Sequence, residues 1–86
     1  MFREFKDEQI ITIDLHQYTV DDAKQKLQLA VTIAPSEIRE IDVIHGYHGG
    51  TALRDMVRKD FKNSRVLRKF LSLNPGITSL ILECNT

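Results

Sequence analysis

The sequence predicts an α/β fold, a two-layer sandwich in which two helices cover a mixed four-stranded sheet in the order βαβαββ. Three observations predict it. Two short β-branched runs each end in a histidine and lead into a helical stripe. A proline–glycine turn separates the last two apolar runs. The chain has 86 residues, 42% hydrophobic and 28% charged, enough for one small core. Residues 1–8 read as a charged N-terminal tail and residues 9–86 as a single stand-alone domain.

The elements follow in order. In Gln9–Leu15, Ile11, Ile13 and Leu15 alternate with Thr12 and Asp14, a strand signal. His16-Gln17-Tyr18 is a short loop. Thr19 is placed to cap a helix, with Asp22 three residues on as in a capping box. Val20, Ala23, Leu27, Ala30, Val31 and Ala34 recur at helical spacing, and Pro35 ends the run. Glu40–His45 alternates again, with Ile41 and Val43 on one face, and is read as a central strand. After the glycine-rich Gly46-Tyr47-His48-Gly49-Gly50, a second helix carries Leu53, Met56, Val57 and Phe61 inward. Arg54, Arg58 and Lys62 stand at four-residue steps on one outer line. Val66–Leu73 fits helix or strand, and strand is preferred because Asn74-Pro75-Gly76 is a turn. Proline presets its first corner and Gly76 is expected to supply a positive φ at the second. Ile77–Cys84 then returns as the other strand of a hairpin. The first strand–helix–strand unit implies a right-handed crossover between parallel strands.

Composition excludes several classes. One cysteine, Cys84, builds neither a disulfide framework nor a thiolate zinc site, and fits a reduced, cytoplasmic setting. The first eight residues are too charged for a signal peptide, and no apolar stretch approaches the roughly 20 residues of a membrane span. Formal net charge is zero but uneven. Residues 1–53 hold five Lys/Arg against nine Asp/Glu, and residues 54–86 hold seven against three. All seven fall between Arg54 and Lys69, a local basic patch able to attract phosphate. Scattered surface lysine and arginine that merely confer solubility would give the same count.

The chemistry concentrates at the two strand–helix junctions, Ile13-Asp14-Leu15-His16 and Ile44-His45-Gly46. Ligands of open α/β sheets bind beyond the carboxyl ends of parallel strands, so His16 and His45 are expected at one edge. Helix N-termini there, with Gly46, Gly49 and Gly50 allowing close backbone approach, favour a phosphate. The Gly-Lys-Ser/Thr ending of a Walker loop is missing. Nothing indicates a dinucleotide, haem or flavin.

Ile13-Asp14-Leu15-His16-Gln17-Tyr18-Thr19-Val20-Asp21-Asp22-Ala23 resembles the first signature of the small MutS-related (Smr) domain family, Leu-Asp-Leu-His-Gly before a Thr-Val-Glu-Glu-Ala-like helix start. Val43-Ile44-His45-Gly46, followed by Gly50-Thr51-Ala52-Leu53-Arg54, resembles the second, His-Gly-x-Gly-x-Gly-x-Leu-Arg. The resemblance runs from about Ile10 to Glu83. It implies a fold like the C-terminal domain of the third bacterial translation initiation factor. It also implies nucleic-acid binding and, in several members, endonuclease activity, by DNA nicking or by cleavage of messenger RNA on stalled ribosomes. By position, Asp14, His16 and His45 are the expected catalytic residues. Gly46, His48, Gly49, Gly50, Arg54 and Arg58 are the expected phosphate contacts. The chain departs from the signatures at Gln17, where glycine is usual, and in a second loop one residue longer, with His48 inserted.

His16 and His45 facing each other across a phosphate could deprotonate a ribose 2′-hydroxyl and protonate the leaving oxygen, a route that needs RNA and no metal. Asp14 would orient His16 or stabilise its charged form. DNA as substrate would call for an activated water and Mg²⁺, and Asp14 is the one obvious carboxylate at this edge, which argues against a two-metal site. A three-histidine zinc site (His16, His45, His48) is disfavoured for want of carboxylates behind the ligands. His48 could act as a third acid–base group or a phosphate contact, and Tyr18 and Tyr47 could stack on bases or simply cover the core edge. The expectation is therefore an endonuclease on RNA or DNA with no firmly implied cofactor. The alternative, favoured by Gln17 and the longer loop, is a module that binds nucleic acid or the ribosome without cleaving. A protein-interaction domain whose basic patch meets an acidic partner is the reading from another class.

Overall fold

The computed structural model describes residues 9–46 and 51–83. The expected tail, Tyr47, His48, Gly49, Gly50 and Cys84 lie outside the described residues. The elements are β1 (Ile10–Asp14), α1 (Val20–Ile33), β2 (Glu40–Ile44), α2 (Ala52–Asp55), β3 (Val66–Leu71) and β4 (Ile77–Leu82). Helix α2 runs directly into a π-helical turn, Met56–Asp60. The sheet order is β1-β2-β4-β3. β1 and β2 are parallel, with Ile11 opposite Ile41 and Asp14 opposite Ile44. β4 is antiparallel to both β2 and β3. This is the mixed four-stranded α/β sandwich that the patterning predicts, with Val66–Leu71 as strand.

Alternation explains which face is covered. Ile41, Val43, Leu80 and Leu82 are buried beneath Ala23, Leu27 and Val31 of α1 and Met56, Val57 and Phe61 of the second helix. The two helices also pack against each other. The intervening positions turn to the opposite face, where Ser79 Oγ donates to Asp42 Oδ1 at 2.8 Å. Thr19 caps α1 as expected, its hydroxyl accepting from Asp22 N–H at 3.2 Å.

The second helix departs from its expected form. Phe61 N–H donates to Met56 O at 2.7 Å, a five-residue step. On an α-helix, residue i+5 lies about 140° round from residue i, so Met56 and Phe61 would point apart. The wider π-helical turn brings both into the core, where Met56 is 1% and Phe61 0% exposed. The four-residue line from Arg54 through Arg58 to Lys62 is therefore broken, and Lys62 falls beyond the helix end at Phe61.

Two of the clustered basic residues close helix ends. Arg65 Nη1 donates to Val31 O at 2.7 Å and Ala34 O at 2.6 Å, completing α1, which carries no basic residue in its own last turn. Lys69 Nζ, reaching from β3, donates to Phe61 O at 2.6 Å and Arg58 O at 3.3 Å. The hairpin turn closes through Ile77 N–H to Asn74 O, with the Asn74 side chain accepting from Gly76 N–H at 2.8 Å. Gly76 lacks the expected positive φ, which among described residues belongs to Gly46 alone. The asparagine side chain closes this turn instead.

Among the described residues no helix is long and apolar enough to cross a membrane. Replacing Lys69 by Met keeps the side chain's length but leaves two carbonyls without their cation. Urea unfolding should report a loss of about 1–3 kcal/mol for Lys69→Met. The same change at exposed Lys24 should stay within about 0.5 kcal/mol.

Candidate functional site

The parallel pairing of β1 with β2 builds the site. The ladder extends one residue past β1, with Leu15 N–H donating to Ile44 O at 2.8 Å. Leu15 is fully buried, so the chain is anchored immediately before His16. His16 then turns outward, and its backbone N–H donates to Asp14 Oδ1 at 3.1 Å. The imidazole Nδ1 bonds the same carboxylate oxygen. His16 and Asp14 side chains are 48% and 52% exposed, so this dyad stands at the surface. The hydrogen bonds from His16 hold the Asp14 carboxyl below the usual carboxylate range. Asp14 thus accepts, Nδ1 carries the proton of that bond, and Nε2 has no hydrogen-bond partner among the described residues.

Gly46 abuts this dyad from β2. Its φ is +75°, and a Cβ there would lie 3.4 Å from His16 Cβ. Glycine at 46 thus serves the left-handed turn, where a side chain would be strained although a Cβ would meet His16 only in ordinary contact. The turn is pinned from the hairpin, because His45 N–H and Gly46 N–H both donate to Gly76 O, at 2.9 and 3.0 Å.

His45 emerges at the same sheet edge as His16 but points the opposite way. It is 3% exposed. Its Nδ1 lies 2.8 Å from Gly46 O, and a carbonyl only accepts, so Nδ1 carries the proton. Its Nε2 lies 2.8 Å from Thr78 Oγ1 and accepts a hydrogen bond from that hydroxyl. Thr78 Oγ1 accepts in turn from Arg58 Nε at 2.9 Å. Burial pushes the His45 imidazole below its usual 6.5, the Gly46 carbonyl opposes this, and Arg58 and Arg54 add to the depression. Both ring nitrogens of His45 are therefore engaged.

Of the remaining expected contacts, Arg58 has no described partner for its Nη groups. Arg54 pairs with Asp55, Nη2 to Oδ1 at 3.4 Å. Lys26 Nζ sits 5.1 Å from the centroid of the Tyr18 ring. No group of three or more His, Cys, Asp or Glu able to hold a metal occurs among the described residues.

Sequence reasoning missed Thr78. The signal was a hydroxyl on the inward register of β4, in line with Leu80 and Leu82. A polar residue on an apolar stripe marks a buried hydrogen bond.

A neutral buried histidine makes stability depend on pH. Its folded-state value lies below the unfolded one, so the unfolded chain takes the proton first. The contribution is complete above the unfolded value of about 6.5 and is lost as pH falls below it. The urea midpoint of the wild-type protein should drop between about pH 7.5 and pH 5, and His45→Gln should flatten that drop. An equal drop in both proteins would place the titrating group elsewhere.

The family model of the Smr domain matches residues 13–76. The fold is similar to the crystal structure of the Smr domain of Thermus thermophilus MutS2, with a TM-score of 0.76 and 24% identity over 85% of this chain and 98% of that one. No curated protein matches. The matched segment spans both histidine motifs, and the chain belongs to the Smr domain family, a family of nucleic-acid-acting domains.

Proposed function

We propose that this Smr domain cleaves a phosphodiester backbone in the cytoplasm, RNA in preference to DNA, with the Asp14–His16 dyad as its acid–base group. The observation that carries this reading is the exposed His16 ring held by Asp14 beside the Gly46 turn. With Nδ1 bonded to a carboxylate, Nε2 takes a proton from a ribose 2′-hydroxyl, and Asp14 stabilises the imidazolium that forms. Water or His48, two residues after Gly46 in the sequence, supplies the proton for the leaving oxygen. Arg58 and Arg54, with the loop glycines Gly46, Gly49 and Gly50, hold the phosphate. His45 positions the turn rather than transferring protons, because neither of its nitrogens is free. On DNA, which lacks the 2′-hydroxyl, a bound Mg²⁺ would have to activate water.

A second reading, binding without cleavage, is favoured by that same engagement of His45, which leaves one exposed imidazole among the described residues.

The test is purified protein with labelled single-stranded RNA and duplex DNA, in EDTA or Mg²⁺. His16→Ala should slow RNA cleavage in EDTA by about 10²- to 10⁴-fold, and Asp14→Asn should slow it less. His16-dependent DNA nicking found only with Mg²⁺ would keep the nuclease and replace its mechanism. Salt-sensitive binding with no cleavage would establish the binding module, and no binding at low salt would end both readings.

A further inference from the structure

We infer that Thr78 is a positioning residue of this site, its hydroxyl coupling the phosphate-binding Arg58 to the His45–Gly46 turn that backs His16. The inference rests on the nucleic-acid reading above. Thr78 lies two residues beyond the segment the family model matches, on a strand that carries neither histidine motif.

The direction of every hydrogen bond in the chain follows from one group that cannot donate. Gly46 O only accepts, so His45 Nδ1 bears the proton and Nε2 bears the lone pair. The Thr78 hydroxyl must then donate to Nε2, and its oxygen lone pairs remain to accept from Arg58 Nε. Thr78 is fully buried, so water does not stand in for either partner. Arg58 Nε–H, Thr78 O–H and His45 Nδ1–H therefore each donate to the next group in one line that ends on the Gly46 carbonyl. At its far end the Gly46 turn touches His16.

This arrangement does two things for an anion. It anchors the guanidinium by Nε alone, leaving both Nη groups as a fork for phosphate oxygens. It also gives His45 Nε2 its donor, which seats the ring between Thr78 and the Gly46 carbonyl. Valine at 78 would keep the shape and remove both roles at once. Serine would keep the hydroxyl.

The experiment measures two things on the wild-type protein, Thr78→Val and Thr78→Ser. One is the pair of ring-nitrogen signals of His45 by ¹⁵N NMR. The other is affinity for a labelled oligouridylate across a salt series. Thr78→Val should shift the His45 Nε2 signal, which loses its hydrogen-bond donor, bind the RNA about tenfold more weakly, and show a salt dependence shallower by about one phosphate contact. Thr78→Ser should restore all three. Wild-type nitrogen signals and affinity in Thr78→Val would overturn the proposal, as would failure of serine to rescue. Should Thr78→Val not fold, Arg58→Lys tests the link from its half-buried end. A lysine has no planar Nε to seat on Thr78, so affinity should fall likewise, and wild-type affinity there overturns the coupling. If the wild-type protein binds no oligouridylate, the nucleic-acid reading fails and takes the site role with it, and the His45 Nε2 signal separately decides whether Thr78 seats the ring.

Discussion

The parallel pairing of β1 with β2, with Asp14 opposite Ile44, brings the two motifs to one edge. Strand parity then decides what each histidine does. On β1 the inward series is Ile11, Ile13, Leu15, so His16 falls outside it and meets solvent. On β2 the inward series is Ile41, Val43, His45, so the second histidine continues into the core. A slip of one residue in β1 would turn His16 inward, and a slip in β2 would turn His45 outward, because side chains alternate with a period of two. The apolar core that fixes the register therefore also fixes which imidazole is available for chemistry.

Much of this was legible in the sequence. Alternation and helical spacing give the strands and α1, because each pattern reports a single buried face. The capping of α1 by Thr19 is a local interaction and is equally readable. The inward parity of His45 was on the page too. Motif logic pairs the two histidines as equals, whereas the register gives one to the surface and one to the interior. What could not be read depends on distant partners. The π-helical turn exists because Met56 and Phe61 must both reach a core assembled by other elements. Thr78 acquires its role from Arg58 and His45, which are 20 and 33 residues away in the chain.

The basic run between Arg54 and Lys69 shows how a charge count misleads and informs together. Arg65 and Lys69 are committed to helix ends, and Arg58 is seated on a threonine. Carbonyls and hydroxyls do not neutralise these cations, though, so the field they project survives. Among the described residues of this run, Arg54 forms an ion pair with a carboxylate, that of Asp55. Structural duty and a positive surface are compatible here because the acceptors are neutral.

Arg65 and Lys69 also govern the order in which the chain can assemble. The carbonyls that end α1 and the π-helical turn find their donors on residues that follow both helices in the sequence. During vectorial synthesis the first strand–helix–strand unit emerges with its helix end still hydrated, and it gains its closing contacts when the last third of the chain arrives. Completion of the scaffold therefore waits for the last third of the chain, and a ribosome-bound fragment ending before β3 would hold its histidine motifs on helix ends not yet closed by Lys69.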